Sequence, residues 1–110
     1  MIEAPAAPSA APRTHLDASL IKTLGRAHRW RRALLAGKAH TFNDIARKQG
    51  CTNRYVRRVL NLSFLSPDIV DAILAGTQPR NMTVASLLTR DIPLSWRKQR
   101  VEFGFASAHP

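Results

Sequence analysis

The stretch TFNDIARKQGCTNRYVRRVLN, residues 41–61, predicts two short helices joined by a tight turn. Thr41 and Thr52 each stand before a helical pattern and can cap it with the side-chain hydroxyl. Gly50 tolerates the left-handed conformation in which helices commonly end. Because the break is short, the two helices must pack against each other at an angle. The sequence therefore predicts helices over residues 42–49 and 53–61.

The second of these helices has two chemically different faces. At helical spacing, one face holds side chains that can pack on a core: Tyr55, Val56, Val59 and Leu60. The opposite face holds side chains that donate hydrogen bonds: Asn53, Arg54, Arg57, Arg58 and Asn61. A solvated surface helix is the alternative interpretation, but such faces usually mix acidic with basic residues. No acid occurs between Arg47 and Asn61, which favours a face that binds an anion.

The spacing of small residues and the charge distribution support this interpretation. A helix-turn-helix needs a small residue where its helices cross, a flexible turn and a branched apolar residue that locks the pair, and Ala46, Gly50 and Val56 meet these needs. The net charge is +10, and it lies in residues 13–61, where twelve Lys and Arg stand against two Asp. Such asymmetry predicts a polyanionic partner, either nucleic acid or an anionic membrane surface.

The rest of the chain is also expected to be helical, because no run of alternating apolar residues is long enough for a strand. Asp17 can cap a long first helix that ends before Gly37. In SPDIVDAILAG, Ser66 is a candidate cap, the next residue is a proline suited to the first helical position, and Gly76 ends the helix. Two further helices are expected, from Thr83 to about Arg90 and from about Ser95 to Phe103. The predicted fold is all-α, a compact helix-turn-helix domain of about five to six helices.

Three segments are predicted along the chain. Residues 1–14 are rich in Ala and Pro and are expected to form a disordered arm. Residues 15–105 form the helix-turn-helix domain, and residues 106–110 form a C-terminal tail. Neither a secretory leader nor a stretch long enough to cross a membrane is recognisable, so we expect no membrane partner and a cytoplasmic, nucleoid-associated location.

Metal and catalytic chemistry are not indicated. Cys51 is the single cysteine, and the four histidines lack the repeated spacing of a zinc site. No Ser, His and Asp arrangement has a motif around it. We therefore expect no metal, no cofactor and no catalytic residue, and interpret Cys51 as a small packing residue.

The first helix and the aromatic residues carry further expectations. Its apolar face comprises Leu20, Ile21, Leu24, Ala27, Trp30, Leu34 and Leu35, and its basic face Lys22, Arg26, Arg29 and Arg32. Arg31 falls inside the apolar arc, where it either pairs with a carboxylate or extends past the core edge. Core positions are expected for Trp30, Trp96, Phe64, Phe103 and Phe105. Stacking on bases is the alternative for all five, and a homodimer contact is a further alternative for Phe103 and Phe105.

Three quoted segments resemble a known family: GRAHRW at residues 25–30, NRYVRRVLNLSFLSPDIV at residues 53–70 and IPLSW at residues 92–96. Together they resemble the C-terminal DNA-binding tail of bacterial site-specific serine recombinases. The helix-turn-helix followed by SPDIVDAILAG is also similar to the DNA-binding segment of ParB-type partition proteins. No counterpart of a recombinase catalytic domain or of a nucleotide-binding domain is recognisable here. The resemblance therefore implies DNA recognition without strand cleavage or nucleotide-driven clamping.

The expected function is sequence-specific binding of double-stranded DNA, by a small transcriptional regulator or a recombination accessory factor of a bacterium or mobile element. In a helix-turn-helix, the N-terminal part of the second helix enters the major groove, which favours Arg54 and Arg57 as base contacts. The other candidate contacts, to bases or phosphates, are Thr41, Arg47, Lys48, Thr52, Asn53, Tyr55, Arg58, Asn61, Lys22, Arg26 and Lys38. The alternative is a basic amphipathic module that binds a membrane surface or scaffolds proteins without DNA specificity.

Overall fold

Six α-helices make up the fold in a computed structural model, which describes residues 14–105. They are α1 Ala18–Leu35, α2 Phe42–Gln49, α3 Asn53–Asn61, α4 Pro67–Ala75, α5 Val84–Leu88 and α6 Trp96–Glu102, with a 3-10 turn at Leu62–Phe64 after α3. No strand occurs within this described part, which confirms the predicted all-α fold. The predicted arm, apart from Thr14, and the predicted tail at residues 106–110 lie outside the described residues.

The first three helices begin at the caps that the sequence indicates. The Asp17 carboxylate accepts a hydrogen bond from the backbone N–H of Leu20 at 3.1 Å, and the Thr52 hydroxyl accepts one from Tyr55 at 3.0 Å. The hydroxyl of Thr41 caps α2 in the same way. Each bond satisfies a backbone N–H that has no partner inside its helix, and this is why these helices start where they do.

Two details of the later helices differ from the sequence prediction. Ser66 precedes α4, but its side chain accepts no hydrogen bond from the helix; its hydroxyl donates to Asp68 Oδ1 at 2.6 Å. The fifth helix ends at Leu88 rather than near Arg90, although Thr83 caps it as expected. The short α5 leaves an irregular segment before α6, and this segment becomes part of the candidate site.

The core lies around α1, which packs against α3, the 3-10 turn, α4 and α5. Buried apolar side chains come from each of these elements: Leu20, Leu24, Ala27 and Trp30 of α1; Val56, Val59 and Leu60 of α3; Leu62; Ile69 and Ile73; and Leu87. The expectation for Leu35 is wrong, since it is 76% exposed. It is the last residue of α1, and Trp30 is the last buried residue of this helix, so Leu35 lies beyond the part of α1 that forms the core.

The aromatic residues divide between core and surface. Trp30 and Phe103 are buried as expected, whereas Phe64 is 45% and Trp96 50% exposed, which corrects their predicted core positions. The Arg31 guanidinium lies 5.8 Å from the centre of the Phe64 ring, so this arginine extends past the core edge and covers an exposed aromatic face.

A buried glutamine joins the C-terminal part of the domain to its centre. Gln99 of α6 is fully buried, and its side-chain oxygen accepts a hydrogen bond from the backbone N–H of Ser66 at 2.8 Å. Its amide nitrogen donates to the carbonyl oxygens of Phe64 at 2.9 Å and Pro93 at 2.7 Å. One side chain thus fixes α6 to the start of α4 and to the segment that precedes α6.

None of the helices in the described part is both long and apolar enough to cross a membrane.

Candidate nucleic-acid interface

The pair α2 and α3 has the order and connection of a helix-turn-helix. Gly50 ends α2 with φ 69°, and the N–H of Cys51 donates to the carbonyl oxygen of Ala46 at 3.0 Å, which closes the turn. Ala46 is 6% exposed and Val56 is fully buried, and α2 and α3 pack against each other. A glycine is needed here because a side chain disfavours a positive φ. Ala46 and Val56 are therefore buried within the packed pair, and Gly50 has the left-handed conformation that the sequence predicts.

A hydrogen bond between two asparagine side chains also connects the polar faces of these helices. Asn53 Nδ2 donates to Asn43 Oδ1 at 2.7 Å across the turn. Asn53 was expected to contact DNA, and in this structure part of its hydrogen-bonding capacity serves the helix pair. The position of the α3 N-terminus is consequently fixed relative to α2.

The exposed face of α3 lines an open groove with a volume of about 580 Å³. We call it the α3 groove; its lining comprises Asn53, Arg54, Arg57, Arg58, Asn61 and Asp91. Five of these residues come from the face that the sequence singles out as hydrogen-bonding. Asp91 was not foreseen, because it belongs to the irregular segment after α5 and reaches the groove only through the tertiary fold.

The three arginines of the α3 groove differ in their surroundings. The Arg57 guanidinium lies 5.7 Å from the centre of the Phe42 ring, an aromatic residue at the start of α2. Arg58 Nη1 donates to Asp91 Oδ1 at 3.1 Å. Arg54 is exposed and forms no ion pair with an acid of the described part of the chain. Arg54 and Arg57 are thus the guanidiniums of this face that carry no carboxylate partner there.

Tyr55 and Arg26 form a contact between α3 and α1 instead of lining the α3 groove. Arg26 Nη1 donates to the Tyr55 hydroxyl oxygen at 2.9 Å, and the Tyr55 ring meets Trp30 edge-on with centroids 6.2 Å apart. Both residues were expected to contact DNA. Their geometry gives them a packing role that holds α3 against α1.

A second basic groove, of about 830 Å³, lies between α1 and α2. Its charged or titratable lining residues are Arg29, Lys38, His40, Asp44, Arg47 and Lys48, with Trp30 among its other lining residues. We call it the α1–α2 groove. Lys38, Arg47 and Lys48 were predicted as phosphate contacts, whereas Arg29 and His40 were not; Lys22 is exposed on α1 and lines neither groove.

The Asp44 carboxylate lies at the N-terminus of α2. The Asp44 carboxylate accepts hydrogen bonds from the backbone N–H groups of His40 at 2.8 Å and Thr41 at 3.1 Å, and from Arg47 at 2.8 Å. These bonds, led by that of His40, hold the pKa of Asp44 below its ordinary value. The Thr41 hydroxyl in turn accepts from the Asp44 N–H, so the side chains of Thr41 and Asp44 are both engaged in capping α2. Neighbouring lysines are therefore better placed than Thr41 to meet a phosphate.

Metal-binding side chains are not clustered in residues 14–105, where no group of three or more His, Cys, Asp or Glu could hold an ion. Cys51 is a half-buried thiol in the turn.

Comparison of the chain with protein-family models, with curated proteins and with solved structures finds no match. The similarity to recombinase tails and partition proteins consequently stays a prediction from the quoted motifs.

Proposed function

We propose that this protein binds double-stranded DNA in a sequence-specific manner, with α3 as the recognition helix. The α3 groove supports the proposal most directly, because one short helix presents Arg54, Arg57 and two asparagines on an open surface. A guanidinium can donate two hydrogen bonds to guanine in the major groove, and an asparagine amide can pair similarly with adenine. Such a surface can distinguish base pairs as well as bind charge.

The α1–α2 groove would hold the DNA backbone. Lys38 and Lys48 are exposed in this groove, and Arg29 lines it from α1. In helix-turn-helix complexes the first helix crosses the phosphate backbone while the second enters the major groove. We assign phosphate contacts to these side chains because phosphate contacts fix the register of a protein on DNA without reading its sequence.

The proposed biological role is that of a small transcriptional regulator, or an accessory factor in recombination, associated with the nucleoid. The recombinase-like motifs support the second possibility, and the size of the domain suits both. A homodimer bound to two half-sites would be consistent with either role. No catalytic step is part of this proposal.

Membrane-surface binding through α1 is less well supported. An interfacial helix inserts its apolar face into the lipid. In this domain Leu20 and Ala27 are fully buried and Leu24 is 3% exposed, so the apolar face of α1 already belongs to the core. Its basic face and the exposed Leu35 at its last position are left to meet an anionic surface.

The test is selection of bound sequences from a random duplex pool, followed by affinity measurements on the selected and a random duplex. Arg54→Ala or Arg57→Ala should weaken binding to the selected site by about 1–3 kcal/mol, since one bidentate base contact is lost. Binding to random DNA should change much less. Lys48→Ala should weaken both about equally, and Lys98→Ala, an exposed lysine on α6, serves as the control.

Salt dependence provides a second measurement on the same samples. The logarithm of the binding constant should fall by roughly 0.9 per phosphate contact for each logarithm of salt. The proposal would be wrong if no sequence were enriched and the protein cosedimented with anionic vesicles. Membrane-surface binding would then replace it.

A further inference from the structure

The α3 groove contains an acidic side chain in a surface otherwise suited to an anion. Asp91 lines it together with Arg54, Arg57 and Arg58, and its carboxylate contacts Arg58 Nη1 at 3.1 Å. The two residues lie 33 positions apart in the sequence. A carboxylate in this position repels phosphates and removes one guanidinium from those that could bind them.

Fold stability does not account for this ion pair. The Asp91 side chain is 99% exposed, and that of Arg58 is 25% exposed. An ion pair with one partner in water contributes little to stability, because solvent and salt screen the attraction. The Asp91 carboxylate can therefore be changed without disturbing the core. Its effect is expected on the charge of the α3 groove.

The segment that carries Asp91 is held in place on both sides. Arg90 donates to Glu102 Oε2 at 2.7 Å, and its guanidinium lies 4.9 Å from the centre of the buried Phe103 ring. On the other side, the Pro93 carbonyl oxygen accepts a hydrogen bond from Gln99 at 2.7 Å. Both anchors belong to α6 or its C-terminal end, so the fold presents Asp91 to α3 from a fixed support.

We propose that Asp91 is a specificity determinant of the DNA interface, an inference that rests on the proposed function. By engaging Arg58 and adding a negative charge to the α3 groove, it lowers affinity for DNA of arbitrary sequence. A site with an amino group of cytosine or adenine at this position offers the carboxylate a donor in the major groove. Only such a site compensates for the repulsion, so discrimination rises as general affinity falls.

The experiment measures binding of a labelled duplex of random sequence by fluorescence anisotropy at several salt concentrations. Asp91→Asn should tighten binding about two- to fivefold at low salt, because a charge that repels nearby phosphates is removed. The dependence on salt should steepen by about 0.9, since Arg58 becomes free to contact a phosphate. Adding Arg58→Ala to this variant should return the salt dependence to that of the wild type.

Asp71→Asn is the matched control, because Asp71 is an exposed aspartate on α4 and its loss changes the net charge equally. It should leave the salt dependence unchanged and tighten binding less than Asp91→Asn. Equal tightening by both variants, or weaker binding by Asp91→Asn, would overturn the role of Asp91 while DNA binding stands. A wild-type protein that binds no duplex would instead refute the proposed function and this inference with it.

Discussion

Replacing Gln99 with methionine should destabilise the domain severely. Methionine has a similar length and fills the buried space, but it removes all three hydrogen bonds that the glutamine side chain makes. The N–H of Ser66 is buried and would lose its partner, at about 1–3 kcal/mol. The carbonyl oxygens of Phe64 and Pro93 are part-buried and can regain some water, at about 0.5–1.5 kcal/mol each. The expected loss in free energy of unfolding is about 2–6 kcal/mol.

This loss is large for a small domain, whose total stability is typically about 5–15 kcal/mol. Urea unfolding followed by tryptophan fluorescence measures it, since Trp30 is buried and reports the loss of the core. Gln49→Met is the control, because Gln49 is exposed at the end of α2 and its replacement should stay within about 0.5 kcal/mol.

Gln99→Glu tests the acceptor and the donor roles of this side chain separately. The carboxylate keeps an acceptor for the Ser66 N–H but faces the carbonyl oxygens of Phe64 and Pro93 with no donor. It should be at least as destabilising as Gln99→Met near neutral pH, and should recover part of the loss in acid, when the protonated carboxyl can donate. A Gln99→Met variant that loses less than about 1 kcal/mol would show that the partners are satisfied without the glutamine, and the reasoning would fail.

The pKa of Asp68 is lowered to about 2, mainly by the hydrogen bond from Arg100 and then by that from Ser66. Because the folded-state pKa lies below the ordinary 3.8, the stability that this carboxylate contributes is present above about pH 4 and is lost as the pH falls toward 2. Urea unfolding across this pH range should show a smaller loss of stability in Asp68→Asn than in the wild type. Gly50→Ala should destabilise the domain by about 1–2 kcal/mol in thermal unfolding, since a side chain disfavours its φ of 69°. Gly25→Ala should instead stabilise it by about 0.5–1 kcal/mol, because Gly25 lies inside α1 and the nearest atom to an added Cβ, Arg29 Nη1, is 3.5 Å away.

The sequence predicts the helices of this fold well because their signals are local. The caps Asp17, Thr41 and Thr52 act on backbone groups within the same helical turn. The spacing of Val56 and Val59 likewise places both on one face of α3 before any tertiary contact forms. Such features need no knowledge of the rest of the chain, and the structure contains each of them.

Only part of the candidate site can be predicted from the sequence, because the rest depends on contacts between distant segments. The basic face of α3 follows from helical periodicity, whereas the contacts of Arg58 with Asp91 and of Arg26 with Tyr55 join residues 33 and 29 positions apart. Periodicity within one helix cannot show which distant segment will cover it. The burial of Gln99 cannot be predicted from the sequence for the same reason, since a lone glutamine on a polar helix has the pattern of a surface residue.

The arginines of α3 illustrate how tertiary contacts divide chemically identical side chains into different roles. Arg58 is held by a carboxylate, Arg57 lies over the ring of Phe42, and Arg54 carries no ion pair in the described part of the chain. A flexible arginine loses rotamer freedom when it fixes on a base, and this loss opposes binding. Contact with the aromatic ring restricts Arg57, so under the proposed function less freedom would be lost on binding a guanine. Phe42 begins α2, whose Ile45 and Ala46 are buried in the core. The first helix of the pair therefore supports the second in two ways: through the core, and through the contact of Phe42 with Arg57, a side chain that we propose reads DNA.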